Sequence, residues 1–178
     1  MRVRIIVKRI VIYFLLIMFA FLLQTCFFPM LKFLAAAPNL LLIITFSYGF
    51  MYGTTTGIIC GLFAGLMMDT FYPGPFGLFI LIYSYLGFFC GLFTEEYRSD
   101  SMILPIILCL VCDFFYNAAM ILYRVLTLGF VNMEFLLKKV VLPEMFFTLL
   151  VTIAVYHVLL NTNKKLDAID DLRGQNAA

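Results

Sequence analysis

Apolar residues fill this chain in long runs, broken only at short clusters of proline, glycine and polar side chains. The first run, at about residues 10–31, is long enough to cross a bilayer, since about 20 helical residues cover a core about 30 Å thick. From Leu40 to Thr70 the chain stays apolar-rich for more than one crossing requires. It must turn, and Tyr52-Gly53-Thr54-Thr55-Thr56 is the stretch with turn chemistry. The pattern therefore predicts a helix at about 38–52, opened by Pro38-Asn39, and another at about 55–70. The run Phe71-Tyr72-Pro73-Gly74-Pro75-Phe76-Gly77 follows as a stiff, non-helical corner. Beyond it come a helix at about 77–94, a polar loop Thr94–Ser101, a helix at about 102–123, an amphipathic link Arg124–Lys139, and a last helix at about 140–160. Residues 1–162 read as one transmembrane helical domain and 163–178 as a polar cytoplasmic tail.

Inside the third helix, glycines recur every four residues: Gly53, Gly57, Gly61 and Gly65, with Asp69 one step further. Each glycine weakens a helix in water by about 1 kcal/mol relative to alanine. In a bilayer the same spacing makes a groove that another helix backbone can enter. Gly53 belongs to the predicted turn, which leaves Gly57, Gly61 and Gly65 to pack. Gly87 and Gly91 form a second small face on the next helix, and the short corner makes the two helices antiparallel neighbours.

Composition sharpens this reading. The chain is 65% hydrophobic and 12% charged with mean hydropathy +1.08, against roughly 45–50% and about 25% in soluble domains. It is expected to be an all-α polytopic membrane protein, a bundle of about six helices. The basic start Met1–Arg9 followed by an apolar run resembles a leader, and Leu22-Leu23-Gln24-Thr25-Cys26 fits a lipoprotein cleavage box only loosely. The run is expected to be retained as a first helix. With both termini inside, Arg2, Arg4, Lys8, Arg9, Arg98, Lys164, Lys165 and Arg173 fall in the cytoplasm. Only Lys32, Arg124, Lys138 and Lys139 fall outside, which favours cytoplasmic ends.

Strongly polar groups at membrane depth are few: Gln24, Asp69, Asp113, Asn117, Glu144 and His157. Asp69 and Asp113 suggest a paired-carboxylate site or a proton relay on one reading, and two separate anchors bonded to backbone or water on the other. Asp113 and Asn117 lie one turn apart on one helix face. Glu144, next to Pro143, reads as a first-turn residue favoured by the helix dipole, and His157 as an interface residue. The five cysteines, Cys26, Cys60, Cys90, Cys109 and Cys112, all lie in apolar runs, and Cys109 and Cys112, three apart on one predicted helix, read as buried structural residues rather than as a soft metal site. No phosphate-cradling loop, nucleophile–base pair or basic nucleic-acid surface is present in the sequence. No catalytic residue, cofactor or metal is therefore expected.

Pro38-Asn39-Leu40-Leu41-Leu42-Ile43, then Gly57-x3-Gly61-x3-Gly65-Leu66-x2-Asp69, then Gly74-Pro75-x-Gly77-Leu78, resembles the MreD family of bacterial rod shape-determining membrane proteins. Asp113-x3-Asn117 and Leu142-Pro143 continue the resemblance more loosely. The family more often has Asp where this chain has Asn39. The resemblance implies a non-enzymatic subunit of the cell-elongation (rod) complex in the cytoplasmic membrane, supporting cell shape and peptidoglycan synthesis. Its implied partners are an MreC-like bitopic protein, an MreB-like actin filament, a RodA-type glycosyltransferase, a penicillin-binding transpeptidase and membrane lipid, with no nucleic acid. On that reading Gly57, Gly61, Gly65, Gly87 and Gly91 serve helix packing or a partner interface, and Asp69, Asp113 and Asn117 are polar anchors. The six-helix format also resembles the substrate-binding component of energy-coupling-factor vitamin transporters. That alternative lacks support from helix 1, which carries one small residue, Ala20, between Ile10 and Ala20, and from the absence of tryptophan.

Overall fold

The computed structural model describes residues 2–30, 37–95, 103–129 and 132–157. They form six helices, with no strand among the described residues. Helix α1 covers Arg2–Leu22 and continues through a wider turn, Leu23–Phe27, to Met30. Then come α2 (Leu40–Tyr52), α3 (Thr54–Phe71), α4 (Leu78–Gly91), α5 (Ile103–Leu128) and α6 (Met133–His157). The protein is a multi-pass α-helical membrane protein. By length and composition α1, α3, α5 and α6 can each cross a bilayer, whereas α2 and α4 are shorter.

The short α2 is the centre of the bundle. Every residue from Leu40 to Met51 is buried, on all faces of the helix. A helix that is apolar all round belongs in a core, and α1, α3, α4, α5 and α6 surround it. Its 13 residues span about 20 Å, too short to reach from one membrane surface to the other.

At Gly53, with φ of 94°, the chain reverses from α2 into α3. That left-handed backbone favours glycine because it has no Cβ. Helices α2, α3 and α4 then meet through glycine backbones. A Cβ at Gly57 would run into the Gly87 carbonyl, one at Gly61 into Tyr83, and one at Gly65 into Ile80. From the other side, Cβ atoms at Gly87 and Gly91 would strike Gly57 and Thr54. Gly49 of α2 joins the same contact, since a Cβ there would lie 2.6 Å from the Gly87 carbonyl. The groove foreseen on α3 is filled by α4 of the same chain.

Three helices differ in extent from the sequence expectation, and the first of them, α1, begins at Arg2 and not near Ile10. Helix α6 begins at Met133, not near Val140, and α5 runs on to Leu128, so most of the expected link at Arg124–Lys139 is helical. Asn132 caps the new start, accepting from the Phe135 amide at 3.2 Å, and Glu134 pairs with Lys138 one turn on. Pro143 thus sits within α6 instead of opening it. A proline inside a helix lacks an N–H and crowds the carbonyl four residues back. The helix widens just before it, over Leu137–Val141, where the Leu142 amide reaches the Leu137 carbonyl. The same happens ahead of Pro29, where Leu23–Phe27 widens and the Phe28 amide reaches Leu23. Pro38, expected to open α2, lies outside it, and Asn39 is the cap. The tail at 163–178, the loop beyond Glu95 and the last turn expected at 158–160 lie outside the described residues.

Because the obstructing atoms at Gly57 are backbone, they cannot rotate away. Gly57→Ala is expected to lower stability by about 1–3 kcal/mol, read as a lower midpoint of thermal unfolding in detergent. Leu62→Ala, on the outward face of the same helix, is expected to stay within about 0.5 kcal/mol. Equal midpoints for wild type and Gly57→Ala would contradict the packing.

Candidate functional site

The polar groups inside the bundle converge on the starts of the two short helices. A helix start leaves four N–H groups without partners, and inside an apolar bundle no bulk water satisfies them. At α4 the answer is Asp69, the one acidic residue of α3. Its Oδ2 accepts from the amides of Gly77 and Ile80, both at 3.0 Å, and its Oδ1 from Phe79 at 3.1 Å. The carboxylate also meets the positive end of the helix dipole. It is a cap supplied by the neighbouring helix, and the Pro-Gly corner brings α4 round onto it.

At α2 the task is shared. The Leu42 amide donates to Asn39 Oδ1 (3.1 Å), the Leu41 amide to Gln24 Oε1 (3.2 Å), and the Leu40 amide to the Pro38 carbonyl (3.0 Å). Ile43 completes the set by donating to the Asn39 carbonyl at 3.2 Å. Gln24 lies within the widened turn of α1, so the irregularity before Pro29 is where α1 supplies its acceptor. The Tyr83 hydroxyl of α4 donates to Asn39 Oδ1 at 2.8 Å, and the Asn39 amide donates to the Thr148 hydroxyl of α6 at 3.1 Å. Through Asn39, the start of α2 is tied to α4 and α6, and through Gln24 to α1.

A second polar seam joins α5 to its neighbours. The Thr152 hydroxyl donates to the Thr148 carbonyl (2.6 Å) and contacts Cys109 Sγ at 3.0 Å. The thiols of Cys90 and Cys112 lie 3.1 Å apart between α4 and α5, both buried and both free. The Asn117 Nδ2 donates to the Asp113 carbonyl at 3.1 Å and approaches its Oδ1 at 3.5 Å. Asp113 is 1% exposed, and its Oδ2 has no hydrogen-bond partner. Asp69 and Asp113 thus bind different groups, Asp69 the start of α4 and Asp113 the Asn117 amide. Among the described residues no group of three or more His, Cys, Asp or Glu has the arrangement to hold a metal.

A family model described as rod shape-determining protein MreD matches residues 4–164. The chain belongs to the MreD family. No curated protein and no solved structure matches it. The match covers all six helices, so the caps and glycine contacts above lie within the MreD region. As a family member the protein is a rod shape-determining membrane protein.

In this MreD-family chain some of the polar network was not foreseen from sequence. Gly49 continues the four-residue glycine spacing backward from Gly53, a signal that was present in the pattern. Gln24, Thr148 and Tyr83 as partners of the α2 start had no such signal, because each comes from a distant helix. Glu144 is a correction: eleven residues after Met133, it is not in the first turn of α6 and does not cap it. His157 is exposed.

Removing the Asp69 carboxylate leaves buried amides without acceptors. Asp69→Ala is expected to destabilise the protein by more than about 2 kcal/mol. Asp69→Asn, which keeps one acceptor oxygen, is expected to lose less. Thermal unfolding followed by helical circular dichroism in detergent orders the three proteins. An alanine variant as stable as wild type would contradict the capping role.

Proposed function

We propose that this chain is a non-enzymatic membrane subunit of the bacterial cell-elongation complex, positioning other membrane subunits so that peptidoglycan synthesis proceeds along a rod. The observation that carries this reading is the family match, which covers all six helices. The direct partner is an MreC-like bitopic protein, and through it an MreB-like filament, a RodA-type glycosyltransferase and a penicillin-binding transpeptidase. The protein sits in the cytoplasmic membrane with both termini inside, as an even number of helices and the distribution of Lys and Arg favour.

The packing supports a binding role over a carrier role. The bundle centre is occupied by α2, and the glycine faces of α3 and α4 are used internally. The long stretches of α1 and α6 are the least buried of the membrane-length helices, 22% each against 39% for α3, so their outer faces are open to partner helices. Asp69, Asn117 and Asp113 serve as anchors that hold those faces in place, with Gly57, Gly61, Gly65, Gly87 and Gly91 fixing the block behind them.

Depleting this protein from its own rod-shaped host is expected to round the cells, and an affinity-tagged copy is expected to restore rods and co-purify a bitopic coiled-coil protein. Gly61→Leu, which forces α3 away from Tyr83, is expected to do neither. A cytosol-only reporter fused after Ala178 is expected to be active. Depleted cells that remain rods would overturn the function, and a silent reporter would overturn the orientation.

A further inference from the structure

Two of the cysteines meet across helices. Cys90 stands at the end of α4, one residue before Gly91, and Cys112 lies in the first half of α5. Their sulfurs are 3.1 Å apart, both thiols are free, and both residues are 0% exposed. By sequence alone the closer pair is Cys109 and Cys112, three residues apart on one helix. The fold gives those two different partners. Cys109 Sγ lies 3.0 Å from the Thr152 hydroxyl of α6, whereas the Cys112 sulfur meets α4.

A single buried cysteine behaves as a small apolar residue, but two thiols in contact on different helices have a chemistry that one lacks. A disulfide holds its sulfurs about 2 Å apart, so about 1 Å of approach closes the gap between Cys90 and Cys112. Burial limits which oxidant can act. Exchange with a protein disulfide needs that disulfide brought into line with the attacking sulfur, and a quinone needs room for its ring. Neither fits at sulfurs with no exposed surface. Hydrogen peroxide is close to water in size and carries no charge, so a brief local opening admits it. Helix ends open at lower free energy than helix middles. Cys90 is at such an end: α4 stops at Gly91, and the Cys90 carbonyl accepts from the Phe93 amide at 3.2 Å in the turn that follows.

We propose that Cys90 and Cys112 are a peroxide-sensitive thiol pair whose disulfide fastens α5 to α4. The sulfur of one thiol attacks an oxygen of hydrogen peroxide; the O–O bond breaks, and the thiol proton leaves with the departing hydroxide as water. The second thiol then attacks the sulfenic sulfur. The S–S bond forms, the S–O bond breaks, and the second thiol proton leaves with that hydroxide as another water. Two electrons pass from the sulfurs to peroxide, and no further reactant is needed. The second step is favoured because the resolving thiol is already in contact. In the reduced protein α4 and α5 meet through contacts such as the Tyr83 and Tyr116 rings, whose centroids are 5.6 Å apart. The disulfide adds a covalent tie between α5 and the helix whose glycines pack onto α3. It keeps the burial of its thiols, so a charged reductant reaches it only when the bundle opens. None of this depends on the cell-elongation role, and purified protein is enough to read it.

The test exposes reduced full-length protein in detergent micelles to hydrogen peroxide. Remaining thiols are alkylated in dodecyl sulfate, and disulfide-linked peptides are identified by mass spectrometry. The Cys90–Cys112 link is expected to exceed every other cysteine pairing at least about tenfold, since it joins sulfurs already in contact. Cys109→Ala is expected to leave that link intact, and Cys90→Ala to leave Cys112 outside any disulfide. Wild-type protein alone decides the matter if a variant does not fold. A charged phosphine reductant is expected to clear the link at least about tenfold more slowly in the micelle than after unfolding in dodecyl sulfate. Peroxide that leaves both thiols free, or that links the cysteines without preference, would overturn the proposal. So would a dominant link between Cys109 and Cys112, or a Cys90–Cys112 link cleared equally fast in folded and unfolded protein.

Discussion

Short helices enclosed in an apolar bundle face one constraint before any other: their first amides must find acceptors within the protein. Water is not at hand and each unmet donor costs several kcal/mol in hydrocarbon. Here α2 and α4 are too short to cross a membrane core, and every polar group placed at their starts answers that need. Asp69 does so alone for three amides of α4 and its entry. At α2 the work is divided between Asn39 and Gln24, with Tyr83 and Thr148 holding Asn39 in place. A carboxylate that first reads as a reactive group in lipid is thereby accounted for by backbone chemistry.

Once the starts are fixed, close approach of the three helices follows. Backbone contact between α3 and α4 requires that neither carry a side chain at the crossing, and Gly57 with Gly87 provide that. Gly49 extends the contact to α2. Polar caps set the register of these helices and glycines set their spacing. Neither would hold without the other, because a helix shifted along its axis carries its amides away from Asp69.

Much of this was legible in the chain. The apolar runs gave the number of helices, the excess length between Leu40 and Thr70 required the turn at Gly53, and the four-residue spacing marked the faces that pack. What escaped was interaction between elements distant in sequence. Nothing local to Gln24 points to the Leu41 amide, and nothing near Thr148 points to Asn39. Proline misleads for another reason: its missing N–H suits a helix start, which points to Pro143, yet a widened turn lets α6 carry it inside. The start signal was Asn132, a weaker cue in a stretch whose lysines made it look like a surface link.

The widened turns ahead of Pro29 and Pro143 also alter how the outer helices present themselves. One additional residue in a turn rotates everything beyond it by about 100° relative to a regular helix. On α1 and α6 this means the lipid-facing stripe does not run straight from one membrane surface to the other; it swings round the bundle partway through. A partner helix lying against such a surface would have to cross it obliquely or change contact face at the same depth. The two prolines thus give the outside of the molecule an upper and a lower half that can accept different neighbours.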